Sequence, residues 1–419
     1  MKKKPKTLAM ILAGGRVDDL TVLTFHRPKS AVPFGGFARV IDFPLSNLMN
    51  SGLDRVAILS QYRSYSLINH VGIGEAWDMI GRYRGISILP PYLGYGHSQW
   101  YRGSSDAVYQ NLDFVRFIEP DELLILSGDH VYRMDYRQLL SYHRQKDADL
   151  TMACIRVPME EAHRFGLADI DDEDGEVGGR VIRYREKPEK PEYNWASLTV
   201  FCFKPNVLYQ ILEDNIREDA SYEFGRDIIP RMMKEKRRVY GFKFSGYWGY
   251  TRTINEYWQT NMDLLGPDPK IQYAEWNVRT NLEHRSIRDC QPLKIGNNAR
   301  VTDSLIYNGC TVEGEVEHSI LFPGTRVEKG ARVKDSVLFF NNVVGRDSVL
   351  DRVVSDVNTA FGREVRIGAE GEAGPKDPAV VGWNNTIAPG TVLGSGVTVY
   401  PCLSTATIPK MVGTGEVIR

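Results

Sequence analysis

Two glycines close an apolar run, Leu12-Ala13-Gly14-Gly15. Without a Cβ, the backbone there can approach a ligand closely and turn amide N–H groups toward phosphate. Lys29, in Arg27-Pro28-Lys29-Ser30, offers a cation to the same phosphate. A second apolar run ends in Ser127-Gly128-Asp129-His130. A carboxylate in that place suits Mg2+, which takes one or two carboxylates and completes its shell with phosphate oxygens and water. Trp100-Tyr101-Arg102-Gly103-Ser104 leads into a helical pattern, with Tyr101 placed to stack or hydrogen-bond and Gly103 admitting a flat base. Glu186-Lys187-Pro188 sets an acceptor for a sugar hydroxyl beside a cation for its phosphate. Taken singly, the glycine pair and Glu186-Lys187 read first as ordinary turns, the Tyr101 loop equally as a helix cap with a packed aromatic, and Asp129 first as a ligand. Taken together, they describe a site for a nucleotide and a phosphorylated sugar.

The elements that must position these residues are α/β. Apolar strands are expected at Thr7–Ala13, Arg55–Ser60, Glu122–Leu126 and Asp149–Val157. Helical patterns lie between them at Pro44–Asn50, Ser64–His70, Ser105–Ile118 and Tyr136–Lys146, the third capped by Ser104 or Ser105. This alternation predicts a mostly parallel, Rossmann-like sheet in three layers. Ligands of such sheets bind at the carboxyl ends of the strands, where Gly14-Gly15 and Asp129 fall. Near residue 290 the helical period vanishes and apolar residues recur every six positions: Val381, Ile387, Leu393, Val399; Leu321, Val327, Val333; Ile295, Val301. That period predicts a parallel β-helix, with Glu370–Pro378 as a loop thrown out from a coil. The expected division is 1–265 for the α/β domain, 266–290 for a linker beginning at Gly266-Pro267, and 291–419 for the β-helix.

The 419 residues carry 52 Lys+Arg against 53 Asp+Glu, so no basic field exists to hold a nucleic acid. Five well-separated cysteines without a CxxC pair fit a reducing compartment, hence the cytoplasm, and argue against a disulfide framework. No apolar run reaches the length of a membrane span, and the basic Lys2–Lys6 stretch is followed by too short an apolar segment for a signal peptide.

In order and spacing the chain resembles the ADP-glucose pyrophosphorylase (glucose-1-phosphate adenylyltransferase) family. The resemblance runs through Leu12–Gly15, Lys29–Gly36, Arg39–Asn47, Trp100–Gln110, Ser127–Tyr132, Pro158–Gly166, Glu186–Pro188, Phe224–Pro230 and Tyr257–Leu265, and into the hexapeptide repeats. It implies a left-handed β-helix and the reaction of ATP with glucose 1-phosphate to ADP-glucose and pyrophosphate, in glycogen synthesis. It further implies that Leu12, Ala13, Gly14, Gly15, Tyr101 and Gly103 line the nucleotide pocket. Gly166, Glu186, Lys187 and Ser197 would hold the sugar phosphate, Asp129 would ligate Mg2+, and Lys29 would contact phosphate. The family's assembly is a tetramer, here with itself or with a catalytic paralogue.

The departures from the family pattern cluster. The loop that reads Gly-Gly-x-Gly-Thr-Arg-Leu in the family reads Gly14-Gly15-Arg16-Val17-Asp18-Asp19-Leu20, so Val17, Asp18 and Asp19 replace Gly, Thr and Arg. One like-charge contact at ~4 Å costs roughly 4 kcal/mol at an effective dielectric near ~20. The second metal-binding Asp is replaced by Tyr250, although Asp18 or Asp19 could stand in for it. Phe37 replaces a Lys of the activator chemistry, and Thr199 replaces a Gly after Ser197. The sugar-phosphate half of the pocket is therefore expected to be intact and the triphosphate–metal half impaired, as in a weakly active or regulatory subunit. The rival readings are a fully active enzyme with an unusual nucleotide loop, and a transferase for another nucleotide or sugar 1-phosphate. A β-helix acyltransferase would need a catalytic His, and His318, the one His after residue 290, has no evident partner in the sequence.

Overall fold

The computed structural model describes residues 5–15, 18–82, 84–92, 100–217, 221–283, 287–368 and 377–419. Arg16 and Val17 of the nucleotide loop, and most of the expected Glu370–Pro378 loop, lie outside the described residues.

Ten strands form the N-terminal sheet: β1 (Thr7–Leu12), β2 (Arg55–Leu59), β3 (Ile80–Gly81), β4 (Arg84–Leu89), β5 (Glu122–Ser127), β6 (Leu150–Arg156), β7 (Gly166–Ile170), β8 (Gly178–Glu186), β9 (Trp195–Phe203) and β10 (Val239–Phe244). Their order is β7-β8-β10-β6-β9-β5-β1-β2-β4-β3. The run β5-β1-β2-β4 is parallel, as the strand–helix alternation predicts. Beyond β5 the sheet is mixed, because β9 runs antiparallel to both β5 and β6. Strand β1 is buried on both faces. Ala9 and Ile11 pack with Ile58, Leu124 and Leu126 on one side; Leu8 and Met10 pack with Leu123, Ile125 and Val108 on the other. Successive strand side chains point to opposite faces, so a continuous apolar run is what a sheet covered by helices on both sides requires.

The helical segment expected over Ser105–Ile118 is two helices, Ser104–Tyr109 and Leu112–Ile118. Asn111 interrupts them: its Nδ2 donates to Ala107 O and Tyr101 Oη. The N-cap is Gly103, without a side-chain cap bond. Ser104 Oγ instead donates to Glu223 Oε2 at 2.5 Å and accepts from Phe224 N.

The C-terminal residues form three parallel sheets of six, seven and seven short strands, a left-handed β-helix. Val381, Ile387, Leu393 and Val399 fall on successive sheets and are all buried, which is why the apolar period is six. Ile295 and Val301 sit in the first coil, where no earlier coil covers them, and stay exposed. His318 does have a partner: Nδ1 lies 2.7 Å from Asp335 Oδ1 at a coil corner, where Trp258 Nε1 donates to the Asp335 carbonyl.

The two parts share a core. Leu20, Val22 and Leu23, just after the nucleotide loop, pack with Ile320, Phe322, Val337 and Phe339 of the β-helix. Arg27 donates through both terminal nitrogens to the buried Asp356 Oδ1 at 2.9 Å. Within 266–290, Ile271 and Trp276 are buried in the same core.

Candidate functional site

A cleft of about 550 Å3 opens where β1 and β5 end. Leu12, Ala13, Gly14, Gly15, Lys29, Tyr101, Gly103, Asp129, Gly166, Glu186, Lys187 and Ser197 all line it. Residues more than 180 positions apart in sequence thus converge: the parallel neighbours β1 and β5 deliver their carboxyl ends to this edge, and the antiparallel strands β7, β8 and β9 bring Gly166, Glu186 and Ser197 to it.

At one end, Gly14 lies so close to the Gln61 backbone that a Cβ would come within 3.0 Å of its nitrogen. Gln61 lines the cleft, donates through Nε2 to Tyr101 O at 3.3 Å and accepts the Tyr101 N–H. A Cβ on Gly103 would collide with the Tyr222 carbonyl. Gly103 is a steric necessity of this loop pair, and Gly14 makes room for the Gln61 backbone. Nothing in the residue order pointed to Gln61; only the fold brings it to Tyr101.

At the other end, Glu186 is fixed by Tyr184, whose Oη donates to Oε2 at 2.7 Å. Burial drives the Tyr184 phenol well above its ordinary pKa, and the Glu186 charge adds to that. A Cβ at Gly166 or Gly225 would run into the Glu186 carboxylate. Lys187, Arg164 and Arg226 line this end, with Arg164 paired to Glu256. Thr199 lies at a break in the β9–β6 register between Ser197 and Phe201 and keeps a left-handed φ of 53°. A β-branched residue is strained there, by about 1–3 kcal/mol.

Between the ends stands Asp129. Its Oδ2 accepts from Lys29 Nζ at 2.9 Å, its Oδ1 accepts from Ser127 Oγ, and His130 Nε2 lies 3.4 Å from Oδ1. Burial alone would raise this carboxyl's pKa, but Lys29, His130 and Ser127 outweigh it and hold the group well below the usual carboxylate range. Burial pushes His130 down to about 4, so the imidazole is neutral at pH 7. Tyr250 pairs across a two-stranded ribbon with His130. Its ring lies 5.4 Å from Lys29 Nζ, and its phenol is raised by burial.

These donors do not fit Mg2+. The first carboxylate is already neutralised by an ammonium, and the second position is a protonated phenol. Asp19 does not stand in for it, because it accepts from Arg252 Nε at 2.9 Å. Among the described residues, no three His, Cys, Asp or Glu side chains group as metal ligands.

An α/β domain with a glycine turn and an aspartate at adjacent strand ends, joined to a β-helix of hexapeptide coils, defines a nucleotidyltransferase of the sugar-nucleotide type. Residues 8–266 match the nucleotidyl transferase family, and residues 292–395 match the GlmU-like C-terminal hexapeptide family. Over 397 residues the chain is 40% identical to a glucose-1-phosphate adenylyltransferase of Desulfitobacterium hafniense strain Y51, covering 94% of this chain and 98% of the relative. Enzymes of that name from Desulforamulus reducens and Bacillus cytotoxicus are 39% and 40% identical, over 90% and 84% of this chain and 92% of each relative. The chain belongs to the glucose-1-phosphate adenylyltransferase family.

Proposed function

We propose that this chain is a weakly active or regulatory subunit of that family, binding glucose 1-phosphate and a sugar nucleotide and serving glycogen synthesis in the cytoplasm. Its partner in a tetramer is itself or a catalytic paralogue. Among the described residues, no helix is long and apolar enough to cross a membrane.

In the family reaction a phosphate oxygen of glucose 1-phosphate attacks the α-phosphorus of ATP. The α–β phosphoanhydride bond breaks and pyrophosphate leaves. This chain's residues support the alignment part of that chemistry. Glu186, held by Tyr184, accepts from a sugar hydroxyl. Lys187 and Lys29 face phosphate. Gly14 and Tyr101 border the nucleotide. What is missing is charge compensation for the leaving pyrophosphate, normally a dominant contribution to such catalysis.

The observation that carries the reading is Asp129 already bound to Lys29, with Tyr250 beside it in place of a second carboxylate. Assay of the purified chain with ATP, glucose 1-phosphate and Mg2+ tests it. The expected kcat lies below about 0.1 s−1, against the ~10 s−1 typical of enzymes. Replacing Asp19→Arg, Tyr250→Asp and Arg252→Gly together is expected to raise that rate. Fast turnover by the unaltered chain refutes the proposal.

A further inference from the structure

Two short helices begin against each other beside the cleft: Ser104–Tyr109, and a single π-turn, Phe224–Ile228, that runs on into a helix at Ile229–Lys234. Neither start is capped by the side chain of its own N-cap residue, Gly103 in one and Glu223 in the other. Each caps the other. Ser104 Oγ accepts at 3.1 Å from Phe224 N, the first N–H of the π-turn, and donates to Glu223 Oε2 at 2.5 Å. The same Oε2 accepts at 3.4 Å from Ser104 N, the first N–H of the other helix, and Ser105 N donates to the Tyr222 carbonyl at 3.0 Å. This is the reciprocity of a capping box, built between residues 119 positions apart instead of within one helix. Tyr222 holds a left-handed φ of 63°, and its carbonyl occupies the space where a Cβ on Gly103 would lie. A non-glycine residue keeps such a conformation only where its surroundings fix it. Arg102 does so here, lying 3.7 Å over the Tyr222 ring and donating to its hydroxyl at 2.7 Å.

The same stretch reaches the other end of the cleft. Just after Phe224, Gly225 lies so close to Glu186 that a Cβ would come within 2.2 Å of its Oε2. That oxygen is the one Tyr184 holds at 2.7 Å. The segment 222–225 is therefore a short bridge, with the Tyr101–Ser104 loop gripped at one end and the Glu186 carboxylate seated against the other. The Phe224 ring is buried at its middle, with the Phe201 and Phe203 centroids 5.7 and 5.8 Å away. The ring is fixed by packing, and the direction of the backbone on either side of it is fixed by the caps.

We propose that Ser104 and Glu223 are positioning residues for Glu186. Their mutual cap sets the backbone of the bridge, and Gly225 in turn sets where the Glu186 carboxylate can stand. Without the cap, the Phe224 N–H and the Glu223 carboxylate lose their protein partner, the bridge loosens, and Glu186 gains a second position. Binding at the Glu186 end thus depends on a hydroxyl carried by the Tyr101 loop. The inference rests on the reading of Glu186 as the acceptor of a sugar hydroxyl and names the residues that hold it in place; it requires no bound nucleotide.

Calorimetric titration of the full chain with glucose 1-phosphate tests it. Glu186→Gln is expected to weaken binding about tenfold and Ser104→Ala about fivefold. Because Ser104 acts through Glu186, the double variant should bind within about twofold of Glu186→Gln alone, whereas independent contacts would multiply to about 50-fold. Ser104→Thr keeps the hydroxyl and should bind within about twofold of the unaltered chain. Glu223→Ala removes the other partner of the cap and carries the same comparison should Ser104→Ala fail to fold. Both side chains are partly exposed, so neither truncation empties a core, and a thermal melt checks each fold. Unchanged affinity in Ser104→Ala, a Ser104→Thr variant just as weak as the alanine one, or effects that multiply in the double variant overturn this inference alone. A Glu186→Gln variant with full affinity, or no binding of glucose 1-phosphate by the unaltered chain, overturns it together with the reading of the cleft.

Discussion

The Lys29 ammonium sits 2.9 Å from Asp129 Oδ2, between the two ends of the cleft. Lys29 is buried, Asp129 is partly open to the cleft, and their pairing fixes the Lys29 ammonium on the cleft wall. Lys29→Met is expected to weaken glucose 1-phosphate binding at least tenfold in calorimetry. Stranding the Asp129 charge is also expected to cost up to about 3 kcal/mol of stability in urea unfolding. Unchanged sugar-phosphate affinity would show that Lys29 does not face the phosphate.

Glu186 has one position available. Tyr184 holds it from one side, and the bare Cα atoms of Gly166 and Gly225 leave room for its carboxylate on the others. Gly166→Ala should displace Glu186 and raise the Kd for glucose 1-phosphate by more than tenfold. Tyr184→Phe removes the orienting hydrogen bond at a cost of about 1–2 kcal/mol in the same titration. Circular dichroism melts would separate these effects from unfolding.

Thr199 is expected to be a strained residue whose replacement stabilises the fold. At φ 53° a glycine carries no Cβ penalty. Thr199→Gly should raise the stability by about 1 kcal/mol, read as a higher urea midpoint. A lower midpoint would mean that the threonine side chain contributes more packing than its backbone loses.

The Arg27–Asp356 pair joins the α/β domain to the β-helix, and both side chains are buried. Removing one partner leaves the other charge uncompensated at a cost of about 3–5 kcal/mol. Arg27→Met is therefore expected to lower the melting temperature and to separate the unfolding of the two parts in differential scanning calorimetry. A single unshifted transition would mean that the apolar contacts of Leu20, Val22 and Leu23 carry the interface alone.

His143 is buried with Nδ1 2.9 Å from Thr151 Oγ1, and burial pushes its pKa down to about 4. The folded-state value lies below the unfolded ~6.5, so below pH 6.5 the unfolded chain binds the extra proton first. Stability should fall as the pH drops, by about 2 kcal/mol between pH 7 and pH 5 from this residue. His143→Gln should flatten that part of the curve. An unaltered pH slope in the variant would assign the dependence elsewhere.

Local sequence carried the fold class because its signals are local. A strand buried on both faces must be apolar throughout, as β1 is, and a triangular coil must repeat its inward residue every six positions. The twelve residues expected at the site line one cleft: strand-end motifs pointed to Gly14, Gly15 and Asp129, and the family resemblance to Gly166 and Ser197. Less legible were features set by contacts between distant residues. The break at Asn111 depends on Tyr101 Oη, the role of Ser104 depends on Glu223, and Gln61 enters the site only through the Tyr101 backbone. The antiparallel course of β9 likewise follows from pairing across the sheet.

The sequence by itself determined that Asp18, Asp19 and Tyr250 stand where the family pattern has Thr, Arg and Asp. Only the tertiary structure decided that Asp19 meets Arg252. Arg252 lies 233 positions from Asp19, and no periodicity or motif links them; they meet because the ribbon strand Trp248–Tyr250 folds back beside the nucleotide loop. A charge's effect depends on its distance from other charges in a medium of low dielectric, and that distance is a property of the fold.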